Sequence, residues 1–314
     1  MKTTRLAALG LGFLFASTLS VFAKIERVVE RSFTVQPGGT LRVETQGGDI
    51  RVALSSDNVV KITARQKIRA SSDAEADELL KKFDLTLEQN GNDVAALAKY
   101  EKPPMGFHFG SWPPVTVDFS VTVPAGYLTD LRTSGGDIVV GDVSGKVNAR
   151  TSGGGIRLGK IGAPIDARTS GGSISLEEAR GAVKLSTSGG NVNVGRVVGD
   201  ADLGTSGGSI KIETVEGALR ASTSGGSIRA GIVGPLKEDS SLNTSGGSIR
   251  VTVDRSAAFH LDASTSGGEV DAEGLTITLD RSNRGRTKLS GAVNGGGAQL
   301  KLRTSGGDVV VRTR

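Results

Sequence analysis

A four-residue motif, Thr-Ser-Gly-Gly, recurs along the second half of the chain and constrains the fold more than any other feature. It begins at Thr133 and returns at intervals of 18 residues, at Thr151, Thr169, Thr187, Thr205 and Thr223. It then recurs at Thr244 and Thr265 after steps of 21 residues, and at Thr304 after a step of 39. A fixed period of this size predicts a repeat architecture in which every period folds as one structural unit.

Each period contains two short strands. In the period that begins at Thr133, apolar residues occur two apart, Ile138 with Val140 and Val147 with Ala149, which is the spacing of a strand with one buried face. The glycine pair predicts a sharp turn, at which φ is positive or a Cβ has no room. The chain is therefore expected to be all-β: a parallel β-solenoid, or β-helix, with coils of about 18 residues stacked about 4.8 Å apart.

The repeated threonine has two possible orientations. Outward threonine columns occur in ice-binding solenoids, which makes ordered water one alternative for this surface. Thr133 has the same strand parity as Val147 and Ala149, however, so we expect the threonines to point into the core.

The first 23 residues differ from the rest of the chain. Lys2 and Arg5 precede an apolar run over residues 6–21, and small residues follow it, as in a secretory signal peptide. The alternative is an uncleaved membrane anchor. We expect export to the periplasm or cell surface, with no transmembrane span in the mature chain. There is no cysteine, so stability outside the cell does not depend on disulfides.

The remainder divides into two predicted sections. Residues 24–130 form a β-rich capping section with one short helix near 73–83, and residues 131–314 form the repeat solenoid. Ser72 and Glu75 make a capping box that opens the helix, whose apolar face is expected to include Ala76, Leu79, Leu80 and Phe83. Residues 39–54 resemble one early coil.

Residues 275–303 interrupt the repeat. They predict a strand around Ile277, a polar loop over 281–286 and a glycine-rich turn over 294–297. The last strand is expected to form an exposed edge, which the charges of Arg312 and Arg314 would protect from pairing with other strands.

Three features together resemble a known family. They are Gly-Gly-Thr-Leu at 38–41, Val-Pro-Ala-Gly at 123–126, and the serial Thr-Ser-Gly-Gly-x-Ile units. Over roughly residues 30–314 the chain resembles the bacterial putative-adhesin β-strand-repeat family, a domain of unknown function. The resemblance implies an exported β-helical domain with an adhesin or surface role, and it supplies no catalytic residues.

The sequence offers little for catalysis. It has no cysteine, and its two histidines are His108 and His260, of which His260 alternates with apolar neighbours as an outward strand residue does. Outward carboxylates such as Asp166 and Asp202 are interspersed with lysines and arginines, and the aspartate repeats of calcium-binding rolls are missing. We expect no enzyme activity, no cofactor and no metal site. A polysaccharide-acting β-helix enzyme is the third alternative for function.

Two surfaces are candidates for binding. An aromatic contact patch is predicted from Phe107, His108, Phe109 and Trp112, although these rings could instead cover the first coil. An anion patch for an acidic polysaccharide or a lipid headgroup is predicted from Arg281, Arg284, Arg286 and Lys288, although these charges could simply be a solvated loop. Lysine and arginine number 38 against 33 acidic residues, so no broad basic face and no nucleic-acid partner are expected.

The favoured function is an exported, non-enzymatic solenoid that acts as an adhesin or as a cell-envelope surface-binding or scaffold protein. Its partner would be a glycan or an envelope protein. The alternative is an envelope-sensing or regulatory binding module that uses the aromatic loop as its ligand site.

Overall fold

The computed structural model describes residues 24–101 and 113–314. Within them, 13 strands form one sheet, here sheet A, and 14 strands form a second, sheet B. The only helix in the described residues has 8 residues. The all-β prediction is confirmed, and no helix in these ranges is long and apolar enough to cross a membrane.

The N-terminal section comprises β1 (Lys24–Thr34), β2 (Thr40–Thr45), β3 (Ile50–Leu54), β4 (Val59–Arg69), α1 (Asp73–Leu80), β5 (Phe83–Asn90), β6 (Asp93–Tyr100) and β7 (Val115–Val123). The central strands are β8 (Leu128–Thr133), β9 (Ile138–Val140), β10 (Val147–Arg150), β11 (Ile156–Ile161), β12 (Ile165–Arg168), β13 (Ile174–Arg180), β14 (Val183–Ser186), β15 (Val192–Val198), β16 (Ala201–Gly204), β17 (Ile210–Glu216), β18 (Leu219–Thr223), β19 (Ile228–Ile232), β20 (Ser240–Thr244) and β21 (Ile249–Val253). The C-terminal section comprises β22 (Phe259–Thr265), β23 (Val270–Glu273), β24 (Ile277–Gly285), β25 (Lys288–Val293), β26 (Gln299–Thr304) and β27 (Val309–Thr313).

Each coil contributes one strand to sheet B, turns at the glycine pair, and contributes the next strand to sheet A. Neighbouring coils are parallel and in register, so that Ile156 lies beside Ile174 in sheet A and Ala149 beside Ala167 in sheet B. The predicted core residues Ile138, Val140 and Val147 are buried, and one hydrophobic core runs through the stack. The predicted solenoid is confirmed. In the described residues it contains eleven parallel coils, which gives a stack about 50 Å long at about 4.8 Å per coil.

The second glycine of each motif is required by close approach between coils. A Cβ on Gly190 would lie 2.2 Å from the carbonyl oxygen of Gly172 in the preceding coil. Its φ is not positive, whereas Gly181 and Gly199 at the opposite turn have φ of 128° and 139°. The lack of room for a Cβ therefore explains glycine at the turn of the motif, and positive φ explains glycine at the opposite turn.

The motif threonine points inward, as its parity predicts. Thr187 is 6% exposed, and its Oγ1 donates a hydrogen bond to the carbonyl of Gly172 in the preceding coil (2.7 Å). The same oxygen accepts a hydrogen bond from the N–H of Gly190 in its own turn (3.4 Å). Thr151, Thr169 and Thr205 make the equivalent pair of bonds. A column of buried hydroxyls thus ties successive turns together.

The residue after the glycine pair forms a second column. Asp137 Oδ1 accepts from the N–H of Gly155 (2.8 Å), and Asn191 Oδ1 accepts from the N–H of Ser209 (2.8 Å). Ser173 Oγ accepts in the same way from the N–H of Asn191 (3.0 Å). Short side chains with an acceptor oxygen are therefore used at this position because they reach the backbone of the next coil.

The coils do not stack in sequence order at either end. The coil of β2 and β3 lies between that of β6 and β7 and that of β8 and β9. The coil of β26 and β27 lies between that of β20 and β21 and that of β22 and β23. The expectation that the last strand is an exposed edge is wrong. Arg312 pairs with Glu273 of one neighbouring coil (2.9 Å) and Arg314 with Asp254 of the other (2.6 Å), so these charges join coils.

Antiparallel strands cover both ends of the stack. At the N-terminal end β4 pairs antiparallel with β7 and β1 with β4, while β5 pairs antiparallel with β6. At the C-terminal end the hairpin of β24 and β25 lies on β22. The prediction of a polar loop over 281–286 is wrong, because β24 continues to Gly285.

The predicted capping box is present, but the helix is shorter than expected. The N–H of Glu75 donates to Ser72 Oγ (3.2 Å), and the Glu75 carboxylate accepts from the N–H of Ser71 (2.7 Å). The helix ends at Leu80, and Phe83 begins β5 instead of continuing the helical face. Its ring packs on Tyr100, with centroids 6.5 Å apart.

Candidate functional site

The predicted aromatic patch cannot be placed. Phe107, His108, Phe109 and Trp112 lie outside the described residues. The strands that flank them, β6 and β7, belong to the outermost coil at the N-terminal end of the stack. The prediction for this patch therefore stays a prediction.

The predicted anion patch lies at the opposite end of the stack. Arg281 and Arg284 belong to β24, and their side chains are outside the described part of the structure. Arg286 forms an ion pair with Glu269 of the outermost coil, and this hydrogen bond raises the pKa of the Arg286 guanidinium. Lys288 is exposed at the start of β25. The one arginine of the patch that can be assessed is thus already partnered by a carboxylate.

The backbone beside this patch closes the last coil. The carbonyl of Arg286 accepts from the N–H of Val270 (2.8 Å), and the carbonyl of Thr287 accepts from the N–H of Thr265 (2.9 Å). An open cleft of about 750 Å³ lies here, with Glu269, Asp271, Arg286 and Asp308 among its lining residues. Three carboxylates and one guanidinium line it, so the cleft does not favour the anionic ligand that the patch was predicted to bind.

A serine, a histidine and an aspartate meet on the outer side of sheet B. Ser290 Oγ donates to Asp280 Oδ2 (2.6 Å), and His260 Nε2 lies 3.4 Å from Ser290 Oγ and 3.3 Å from Asp280 Oδ2. In a catalytic triad the aspartate binds one ring nitrogen and the serine the other. Here both contact Nε2, and the serine, which is 5% exposed, donates its hydrogen bond to the carboxylate instead of to the imidazole. The arrangement fits a contact that fastens the hairpin of β24 and β25 to β22.

Sequence reasoning identified His260 as an outward strand residue but missed its partners. Ser290 and Asp280 come from the hairpin that breaks the repeat, and nothing in the spacing of these residues indicates that the hairpin folds back on β22. No group of three or more metal-ligating side chains occurs in residues 24–101 and 113–314.

Many charges on the outer faces form ion pairs within a coil or between neighbouring coils. Asp166 binds Arg168 (2.9 Å) and lies 3.6 Å from Arg150 of the preceding coil, while Lys184 lies 3.4 Å from Asp202. Arg157 binds Asp137 (3.1 Å), and the hydrogen bond from the Gly155 backbone, followed by that from Arg157, lowers the pKa of Asp137. The scattered carboxylates predicted from the sequence therefore act as partners of neighbouring cations.

One group of cations lies together on a single face and is only partly paired with carboxylates. Lys211, Arg229 and Arg250 lie side by side on three consecutive strands of sheet A and are exposed. Lys211 contacts Glu213 at 3.1 Å. Arg229 and Arg250 have no carboxylate within ion-pair distance among the described residues. We call these three residues the cationic strip.

The family model for Toastrack DUF4097 matches residues 57–312. The chain belongs to this family. Toastrack DUF4097 is a domain of unknown function, and its β-solenoid-like fold agrees with the stack described above. The family resemblance expected from the sequence is thereby confirmed. None of the curated proteins matches this Toastrack chain.

Several solved structures resemble the Toastrack chain at low identity. A putative adhesin from Bacteroides fragilis has 11% identity and a TM-score of 0.33, with 92% of this chain and 97% of that chain covered. A putative lipid binding protein from Parabacteroides distasonis has 12% identity and a TM-score of 0.33, with 91% and 96% covered. A putative cell adhesion protein from Clostridium sporogenes has 13% identity and a TM-score of 0.23, with 92% and 100% covered. At such identities and TM-scores these similarities carry no argument about function.

Proposed function

We propose that this Toastrack chain is an exported, non-enzymatic β-solenoid that binds at the cell envelope, as an adhesin-like surface-binding or scaffold protein. The observation that carries the proposal is the long stack itself. Eleven coils in the described residues present outward side chains at intervals of about 4.8 Å along two sheets. A face of this kind suits contact with an extended partner better than enclosure of a small substrate.

The internal use of polar groups supports a binding role over catalysis. The motif threonines are buried and bonded between coils, and the residue after the glycine pair binds the next coil's backbone. Ser290, His260 and Asp280 lack the arrangement that activates a nucleophile. The threonine hydroxyls and the polar side chains after the glycine pair are therefore engaged in hydrogen bonds between coils.

Export is proposed on the sequence pattern of residues 1–23, and the absence of cysteine means that it would not depend on disulfides. The periplasm and the cell surface are both compatible with a domain of this kind. The partner in either compartment would be a glycan or another envelope component.

Sedimentation of the purified full chain with isolated bacterial envelope tests the proposal. We expect saturable retention with the envelope fraction and none with an equal mass of inert beads. A chain that stays in the supernatant at every envelope concentration would contradict surface binding. Release of reducing ends from envelope polysaccharide, lost in a His260→Ala variant, would contradict the non-enzymatic assignment.

The same preparation separates the sensing alternative. A surface-binding protein is expected to crosslink heterogeneously to envelope material. Recovery of one discrete protein in stoichiometric amount, together with no retention on envelope depleted of that protein, would instead favour the regulatory module.

A further inference from the structure

The cationic strip belongs to a sequence pattern that occurs in only three of the motif repeats. In these repeats the glycine pair is followed by Ser-Ile and a cation: Ser209-Ile210-Lys211, Ser227-Ile228-Arg229 and Ser248-Ile249-Arg250. The isoleucines are at most 1% exposed, so the serine and the cation on either side of each point outward. The three repeats are consecutive in the stack and in register, which places two parallel columns, one of serines and one of cations, on the outer face of sheet A.

The strip lacks the neutralising groups that the same face uses elsewhere. Arg51 and Arg157 occupy the equivalent strand position, and they bind Asp49 (2.9 Å) and Asp137 (3.1 Å), which follow glycine pairs. In the three repeats of the strip that aspartate is replaced by serine. Arg229 and Arg250 therefore lie on neighbouring strands about 4.8 Å apart, and no carboxylate of the described residues is within ion-pair distance of either. Like charges on neighbouring strands oppose folding.

The serines of the strip present donors to the solvent. Ser209 Oγ accepts from the N–H of Ser227, and Ser227 Oγ accepts from the N–H of Ser248, both at 3.1 Å. Ser248 Oγ accepts from the N–H of Asp308 at 3.1 Å. Each oxygen is oriented by this bond, while its own proton is available to an outside acceptor. Hydroxyl donors and cationic donors therefore face the same side.

The surroundings of the strip indicate an elongated ligand. Asn193 and Ser175 continue the line of cations over the two preceding coils with uncharged polar groups. A shallow groove of about 450 Å³ opens beside them, and Glu177 and Glu213 line it together with Ser175, Asn193 and Lys211. Acidic groups of a ligand would therefore lie nearer Arg229 and Arg250, which do not line this groove. On the other side the line ends at the half-buried Val310.

We propose that the cationic strip binds an anionic linear polysaccharide, carboxylated or sulfated, that lies along the axis of the solenoid. Its acidic groups would meet Lys211, Arg229 and Arg250, and its hydroxyls would meet Ser175 and Asn193. The large apolar side chains exposed in the described residues are Val28, Leu54 and Leu279. Val28 and Leu54 belong to β1 and β3 near the N-terminal end of sheet A, and none of the three belongs to the strands of the strip. The strip therefore lacks groups to enter a membrane, and it has no described aromatic ring to stack on a nucleic-acid base. This inference names the partner class for the surface-binding function proposed above.

The test measures binding of the full chain to polygalacturonate, a carboxylated polysaccharide, and to dextran sulfate, with neutral dextran as a blank. We expect an Arg229→Gln/Arg250→Gln variant to lose about tenfold or more in affinity for at least one of the two anions. The reason is that each charge-assisted hydrogen bond to the ligand raises the affinity severalfold or more. The matched control is Arg220→Gln/Lys301→Gln, which removes the same charge from the outer face of sheet B. It should bind within about twofold of the wild type, a difference that one weak surface interaction accounts for.

Unfolding in urea shows whether a loss of binding is caused by a loss of stability. Removal of two neighbouring like charges should leave the midpoint of the Arg229→Gln/Arg250→Gln variant unchanged or slightly higher. Equal binding by wild type and this variant would overturn the inference, as would an equal loss in the control variant. Wild-type binding to anionic phospholipid vesicles or single-stranded DNA without binding to either polysaccharide would overturn it in favour of those partners.

The outcome separates this inference from the proposed function. Retention on envelope without affinity for either anionic polysaccharide would overturn the inference and leave surface binding intact. Affinity for a polysaccharide without retention on envelope would support the strip as a site and contradict the envelope role.

Discussion

Thr187 explains why threonine occupies the inner end of each turn. Its methyl group lies in the core, while its hydroxyl joins Gly172 of one coil to Gly190 of its own turn. Valine would fill the same space without the hydroxyl, and serine would keep the hydroxyl without the methyl. Substitution at this one position therefore separates packing from hydrogen bonding.

We predict that Thr187→Val lowers the free energy of unfolding by about 1–3 kcal/mol, because the partly buried carbonyl of Gly172 loses its hydrogen bond from the Thr187 hydroxyl. Thr187→Ser should lower the free energy of unfolding by about 0.8 kcal/mol, the contribution of one buried methyl or methylene group. Urea unfolding of the full chain measures both. A valine variant as stable as the wild type would mean that the hydroxyl at this position adds nothing to stability.

At the residue scale the sequence predicted orientation but not partners. The inward direction of Thr133 and the outward direction of His260 follow from strand parity, which is local. The reason for the second glycine is not local, since the atom that a Cβ would meet belongs to a residue 18 positions earlier, as Gly190 meets Gly172. Positive φ and close approach both select glycine, so the residue type alone could not distinguish them.

At the scale of strands and hairpins, the order of stacking was the main feature that the sequence could not supply. Nine of the eleven described coils carry the same motif, so any of these coils can in principle pair with any other. The step of 39 residues before Thr304 indicated an interruption, but not that the last coil returns to lie between two earlier ones. That arrangement follows from the hairpin of β24 and β25, which occupies the outer side of β22 and leaves the other side for β26.

Cysteine pairs test this order in a chain that has no cysteine of its own. Ser241 is in register with Lys301, and Lys301 with Asp262. We predict that Ser241→Cys/Lys301→Cys forms a disulfide on oxidation, since neighbouring strands lie about 4.8 Å apart, within disulfide range. Ser241→Cys/Asp262→Cys, about two strand spacings apart, should stay reduced. Mass spectrometry after oxidation distinguishes them, and the reverse result would mean that the coils stack in sequence order.

For the whole molecule, a stack in which each coil contacts mainly its neighbours behaves as a one-dimensional array. The effect of a destabilising substitution on unfolding should then depend on its position along the axis. Gly190 is in the middle of the stack, and Gly268 belongs to the outermost coil at the C-terminal end. A Cβ would meet a carbonyl oxygen of the adjoining coil at 2.2 Å in the first case and 2.4 Å in the second. The same substitution at equivalent positions therefore compares an interior lesion with a terminal one.

We predict that Gly190→Ala broadens the urea transition and lowers its apparent slope, because the coils on either side of the lesion lose part of their coupling. The clash itself should cost about 1–3 kcal/mol or more. Gly268→Ala should leave the main transition near that of the wild type and accelerate amide exchange only in residues 259–298, because only the outermost coil and its hairpin depend on that contact. Gly204→Ala serves as the control, since the nearest atom to its Cβ is 3.9 Å away and no effect is expected. An equal shift of the midpoint by the interior and terminal variants, with the slope unchanged, would instead mean that the stack unfolds as one cooperative block, in which the distance of a coil from the end has no influence on stability.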